Sequence, residues 1–188
     1  MTTATPDKIR WTIADLEIFP ENGKRYEIIA GELFVTRAPH WRHQRISVNI
    51  STRLNLWCEQ TGLGEVATAP SVIFSEEDSV IPDVVWVDRE RLSDILDDAG
   101  HLIDAPDLAV EVLSKSAAER KRDYEAKLKL YSSRGVKEYW ICDRQTRSVQ
   151  VYSRENGILK LAVTLFEKDS LTSPLLPEFD CLVERFFS

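Results

Sequence analysis

The chain has 188 residues with 31 acidic and 24 basic side chains, for a formal net charge of -7. That length suits one domain spanning residues 1–188 and is enough to bury a core, while the negative balance excludes a protein drawn to nucleic acid by overall charge, so such a partner must meet a local basic face. Three cysteines, Cys58, Cys142 and Cys181, share no CxxC or other ligand spacing, which argues against a disulfide framework or zinc site and for reduced core thiols in a cytoplasmic protein.

At the start, Met1 to Asp7 lacks a basic region followed by an apolar one, and no later run approaches the roughly 18 apolar residues of a membrane span. Arg25 to Thr36 reads as two short strands around an Ala30-Gly31 turn. From Trp41 to about Glu59, Ile46, Ile50, Leu54 and Trp57 recur at helical spacing, and the helix should end near Gly62 or Gly64. Strands are expected at Ser71 to Phe74 and Val80 to Val87 around a polar turn, Ser75 to Ser79. Asp88 to Asp107 is acidic and irregular, with a helical turn near Leu92 to Leu96. A strand at Leu108 to Ser114, a helix from Glu119 to Arg134 stopped by Gly135, and a strand at Glu138 to Asp143 together imply a right-handed parallel crossover. Ser148 to Ser153 and Ile158 to Phe166 complete an antiparallel hairpin across Arg154 to Gly157. No repeat, low-complexity stretch or linker divides the chain.

Two carboxylates stand out against this background. Asp83 and Glu111 each interrupt an apolar, β-branched run of the kind buried on both faces, where an ionised group is costly unless paired, hydrogen-bonded or bound to a cation. Either acid alone is equally consistent with a strand end touching solvent or an arginine. Two on neighbouring strands suit one hard divalent cation, which takes oxygen ligands and keeps several waters, and this points to metal-assisted hydrolysis.

The helix after Glu111 carries a third candidate. Tyr124, Leu128, Leu130 and Tyr131 define its inward arc, and Lys127 falls within that arc. An ammonium aimed at the carboxylates would stabilise developing negative charge or orient a water; the ordinary alternative is a snorkelling lysine or an i,i+4 pair with Asp123. His43 lies on the apolar stripe of the first helix and should face inward, as satisfied core histidines also do. Glu27 and Glu32 on the hairpin are the weakest candidates, since exposed strand glutamates need no explanation.

Taken in order, Tyr26-Glu-Ile-Ile-Ala-Gly-Glu-Leu33, His43, Pro82-Asp83, Val110-Glu-Val-Leu-Ser114, then Asp123, Lys127 and Tyr131 at spacing four, and Gly135-Val-Lys-Glu-Tyr-Trp-Ile-Cys-Asp143 resemble the putative restriction endonuclease family within the PD-(D/E)XK nuclease superfamily. The resemblance runs from about Ile9 to Phe187. It implies a mixed α+β fold, a restriction endonuclease-like core with a central mixed sheet flanked by helices. It also implies a Mg2+ (or Mn2+) site on Asp83, Glu111 and the Val112 backbone carbonyl, hydrolysis of phosphodiester bonds in DNA, and a homodimer. His43, Glu27, Glu32 and Asp123 become supporting residues around that site. One departure is visible: the superfamily lysine two residues after the glutamate is replaced by Leu113, and the resemblance supplies a migrated lysine at Lys127 instead.

DNA would then be met by two basic clusters, Arg37, His40, Arg42, His43 and Arg45 on one side and Lys115, Arg120, Lys121 and Arg122 on the other, because phosphate contacts by Lys and Arg supply sequence-independent affinity. Interspersed Glu119, Asp123 and Glu125 fit an ordinary solvated helix equally well. Three readings stand: a metal-dependent DNA endonuclease, a catalytically silent nuclease-like binding or assembly domain, and a hydrolase of a small phosphorylated substrate.

Overall fold

A computed structural model describes residues 9–20 and 22–188; the N-terminal reading over Met1 to Asp7 lies outside them. A 3₁₀ turn at Ile13–Ile18 precedes the hairpin of β1 (Arg25–Ile29) and β2 (Glu32–Thr36). Ala30 and Gly31 both take positive φ, 51° and 72°, the conformation a two-residue turn needs to match the twist of its strands. The long helix α1 (Trp41–Thr61) follows, burying Ile46, Ile50, Leu54 and Trp57 as its spacing requires and ending at the left-handed Gly62.

The next strands are β3 (Gly64–Thr68), β4 (Val72–Ser75), β5 (Asp78–Val80) and β6 (Val84–Asp88). The single strand expected from Val80 to Val87 is therefore divided. Pro82, which has no N–H to give a ladder, separates β5 from β6, and the two halves join different sheets. α2 (Arg89–Ile95), β7 (Leu108–Val112), a helix running through α3 (Ala117–Lys121), a π segment (Arg122–Lys127) and α4 (Leu128–Arg134), and β8 (Glu138–Asp143) come next. β9 (Ser148–Glu155), β10 (Ile158–Phe166), β11 (Ser170–Ser173), β12 (Leu176–Leu182) and α5 (Glu184–Phe187) complete the chain.

Six strands form the central sheet in the order β10-β9-β8-β7-β6-β3, a four-stranded sheet runs β2-β1-β5-β4, and β11 pairs with β12. β7 and β8 are parallel, with Glu111 level with Ile141, and the other ladders of the central sheet are antiparallel. This mixed sheet has helices on both faces. One face packs α1, β12 and α5 against Val84, Trp86, Val110 and Trp140. The other packs Leu130 and Tyr131, together with Ile29 and Val80 of the small sheet, against Val85, Ala109, Leu113, Tyr139 and Ile141. Alternation along β7 places Glu111 on this second face between Ala109 and Leu113, where an apolar side chain would be ordinary. Cys58, Cys142 and Cys181 are buried and free, as their spacing suggested. Among the described residues no helix is long and apolar enough to cross a membrane.

Candidate active site

A cavity of about 290 Å³ opens where the small sheet, the end of β7, the N-terminal part of α1 and the α3 to α4 helix converge, and Glu27, His43, Asp83, Glu111, Asp123 and Lys127 all line it. Asp83 is delivered by the break at Ile81-Pro82 immediately before β6. Its Oδ2 accepts the Val112 N–H at 2.9 Å and its Oδ1 accepts Arg25 Nη1 at 2.9 Å. His43 Nε2 lies 2.9 Å from the same Oδ1.

Glu111 Oε1 accepts from Lys127 Nζ at 2.7 Å and from Tyr131 Oη at 3.1 Å. The same ammonium lies 2.7 Å from Glu27 Oε1. Glu27 is further held by the Ile81 N–H at 2.8 Å and by Arg122 Nη1 at 3.0 Å. Arg122 turns in addition to Asp123, with Nη2 2.9 Å from Oδ1. Lys127 is 1 % exposed, so it neither snorkels nor forms the surface pair with Asp123. The π segment that begins at Arg122 and ends at Lys127 brings Arg122, Asp123 and Lys127 into one buried cluster. A wide turn of this kind is rare and concentrates where side chains must be re-aimed.

Four buried carboxylates thus face three permanent cations, Arg25, Arg122 and Lys127, and the surplus appears in their proton affinities. Burial pushes Glu111 up to about 8; Lys127 opposes this, while Asp83, Asp123 and Glu27 reinforce it. For Asp83 burial acts in the same direction, but the His43 imidazole, the Val112 N–H and the Arg25 guanidinium outweigh it and hold the carboxyl down at about 2. Glu27 is likewise buried, yet Lys127 and Arg122 bring it below the usual carboxylate range. Burial would lower Lys127, and Glu111 and Glu27 reverse that and raise it. Burial raises Asp123 as well, against Lys127 and Arg122. Lys127 is therefore charged, with Glu27 as its ionised partner, and Glu111 and Asp123 are the carboxyls pushed toward holding a proton.

A divalent cation suits this surplus. The donors are hard oxygens, and since the N–H and C=O of one strand residue face the same edge, the Val112 carbonyl faces the Asp83 side as its N–H does. Among the described residues no three His, Cys, Asp or Glu side chains converge as a ready-made cage. A cation here would take two carboxylates and a carbonyl, leaving its other positions to water and substrate oxygens as magnesium prefers.

The structure corrects several expectations. Glu27, the weakest candidate by sequence, is buried at the centre of the cluster, whereas Glu32 is exposed at the turn end of β2 and does not line the cavity. Arg122, expected as a DNA contact, lies inside the cavity wall with its guanidinium paired to Glu27 and Asp123. Arg120 is tied to Asp143 at 2.8 Å. Arg37 and Lys115 do border the cavity; Arg42, Arg45 and Lys121 are exposed outside it. Arg25 and Arg144 were not among the expected site residues, and Tyr131, on the expected inward arc, was given no role although it binds Glu111. Arg25 was legible, since it precedes Glu27 by two on β1 and so shares its face.

The fold and this constellation of acids and lysine define a restriction endonuclease-like domain. A family model described as putative restriction endonuclease, Uma2, matches residues 13–184, and the chain belongs to that family. Among solved structures, a putative nuclease from Anabaena variabilis aligns with a TM-score of 0.73 over 94% of this chain and 97% of that one, at 18% identity, a likeness that speaks to the fold. No curated protein matched the sequence.

Proposed function

We propose that the protein is a metal-dependent DNA endonuclease acting through Asp83, Glu111 and Lys127. The observation that carries this reading is the Lys127 ammonium, buried and 2.7 Å from Glu111 in a cavity shared with Asp83. Magnesium or manganese, held by Asp83, Glu111 and the Val112 carbonyl, would supply Lewis acidity toward a phosphate oxygen. The chain's own groups do the rest. Arg25, His43 and the Val112 N–H fix Asp83 as an anion. Tyr131 orients Glu111. Glu27 anchors Lys127, so the ammonium keeps its place when Glu111 turns to another partner, and from there it stabilises charge developing on the phosphate during attack by water.

Arg37 and Lys115 beside the cavity would supply phosphate contacts despite the acidic total. The silent-domain alternative draws on Leu113 in place of the strand lysine and on the acidic balance of the chain; the helix-borne ammonium on the same carboxylate weighs against the first of these. The test is incubation of the pure protein with plasmid and magnesium or manganese beside Asp83→Asn. Cleavage by the native protein and none by the variant is expected; equal cleavage by both, or none by the native protein with either metal, would refute the assignment.

A further inference from the structure

The lining of the cavity divides by depth into two kinds of charge. Its buried part holds the carboxylates Glu27, Asp83, Glu111 and Asp123, each with a cation against it. Its more exposed part is basic: Arg37 comes from the segment between β2 and α1, Lys115 from the segment between β7 and α3, and Arg144 from the turn after β8, with Glu119 as the carboxylate beside them. Three separate stretches of chain thus bring cations to one opening, in a molecule whose net charge is -7.

Arg144 is the informative member of this rim. It is half-buried, and among the described residues no carboxylate is paired with it, whereas Arg25, Arg120 and Arg122 nearby are all paired. Its chain neighbour Asp143 is already occupied by Arg120 Nη2 and by the Gln145 N–H, each at 2.8 Å. What Arg144 does meet is His40: its Nη1 lies 3.4 Å from His40 Nδ1, the nitrogen that also accepts the Arg42 N–H at 3.0 Å as the N-cap of α1. A guanidinium only donates, so Nδ1 serves both neighbours as an acceptor. At 3.4 Å the contact is long, and a neutral ring nitrogen does not offset the charge. His40 therefore gives the guanidinium a place at the opening and leaves most of its five N–H donors uncommitted. A planar fork with its charge unneutralised fits two oxygens of a phosphate.

We propose that Arg144, positioned by His40, binds a DNA backbone phosphate beside the one that is cut and completes a three-cation rim with Arg37 and Lys115; the assignment rests on the nuclease reading above. A contact to a phosphate that does not react is made equally in the ground state and the transition state, so it governs substrate affinity and leaves the chemical step alone. The experiment follows binding of a labelled DNA duplex in EDTA across a salt series, then cleavage kinetics with magnesium or manganese. Arg144→Gln should lower the slope of log affinity against log salt by about one and raise KM about tenfold, the low end for a hydrogen bond to a charged group, with kcat and melting temperature unchanged. Arg53→Gln removes the same charge from the groove between α1 and β12 and should change neither slope nor KM. His40→Asn keeps a capping side chain for α1 but withdraws the imidazole from Arg144. It should raise KM at unchanged kcat and melting temperature, and add nothing when combined with Arg144→Gln. A native slope and KM in Arg144→Gln, a loss confined to kcat, or an equal effect in Arg53→Gln would overturn the inference and leave the nuclease reading standing. A native protein that cleaves no DNA with either metal would refute the nuclease reading and the inference with it.

Discussion

Glu111→Gln isolates the carboxylate surplus, because it keeps the shape of the side chain and its acceptor oxygen for Lys127 and Tyr131 but cannot ionise. Burial raises the native carboxyl to about 8 from an ordinary 4.5. A group that holds its proton more tightly when folded contributes stability that is fully present below about pH 4.5, declines as pH rises, and is gone above about pH 8. At 1.36 kcal/mol per unit the gap sets a ceiling of about 5 kcal/mol, and relaxation with water entry brings the expected loss nearer 2 to 3 kcal/mol. Urea unfolding with EDTA should therefore give similar stabilities for native protein and variant near pH 5 and a variant more stable by about 2 kcal/mol at pH 8.5. Magnesium at about 100 times its dissociation constant should then add about 2.7 kcal/mol to the native protein and little to the variant, reversing their order. Parallel pH profiles in EDTA, or a variant that becomes the less stable of the two at alkaline pH, would refute the idea that Glu111 is a buried acid awaiting a cation.

Lys127→Met leaves the ionised Glu27 buried beside Arg122 alone, so it should cost about 3 to 5 kcal/mol in denaturant unfolding and slow cleavage by about 100-fold. Lys127→Arg should not rescue it, since a planar fork cannot occupy a point position between two oxygens; a stable and active Met variant would remove Lys127 from the mechanism. Arg37→Ala and Lys115→Ala should each lower the slope of log affinity against log salt by about one for every phosphate the side chain had neutralised, whereas Arg122→Ala should leave that slope unchanged and lower the urea midpoint, because its partners are internal. Gly64→Ala should destabilise the fold by about 1 to 3 kcal/mol, since its Cβ would stand 2.4 Å from the Val87 carbonyl and 2.5 Å from Trp86 Nε1; an unchanged midpoint would mean that β3 can shift off β6.

Where a period extends over several turns or a strand carries a dense apolar run, the sequence was legible. α1 announces itself through Ile46, Ile50, Leu54 and Trp57, and β7 and β8 through apolar runs that the parallel pairing then buries on both faces. Elements without a clear apolar period were not legible: β3 offers Val66 and Ala67 alone, β11 a single Leu171, and in β12 Pro177, Glu178 and Asp180 interrupt Leu176, Phe179, Cys181 and Leu182. The division of Val80 to Val87 was signalled by Pro82, but β-branched residues on both sides invited one continuous strand. Glu27 was undervalued for a different reason. Its burial comes from the α3 to α4 helix, far along the chain, which closes over β1 and presents Arg122 and Lys127, and no local pattern in Arg25 to Ile29 records that contact. The π segment is equally hidden, because a period of 3.6 predicts Lys127 inward whether or not one turn is widened.

Leu113 explains why the lysine belongs on the helix. It shares the face of β7 with Glu111 but is buried with Ile29, Tyr131 and Ile141, so an ammonium starting there would have to leave the apolar layer that joins the small sheet to the central one. Supplied from above, by a helix that crosses the small sheet, the ammonium meets Glu111 from β7 and Glu27 from β1 at once, each at 2.7 Å. That arrangement ties three elements with one charge. On the proposed reading it also separates two roles that a strand lysine would share: Glu27, held by three donors, keeps the charge in position, while Glu111, held by Lys127 and Tyr131 and raised toward neutrality, would exchange its proton for a cation. The relocation therefore retains the electrostatics of an acid, acid and lysine site and makes the stability of the domain depend on the same ammonium that its chemistry would use.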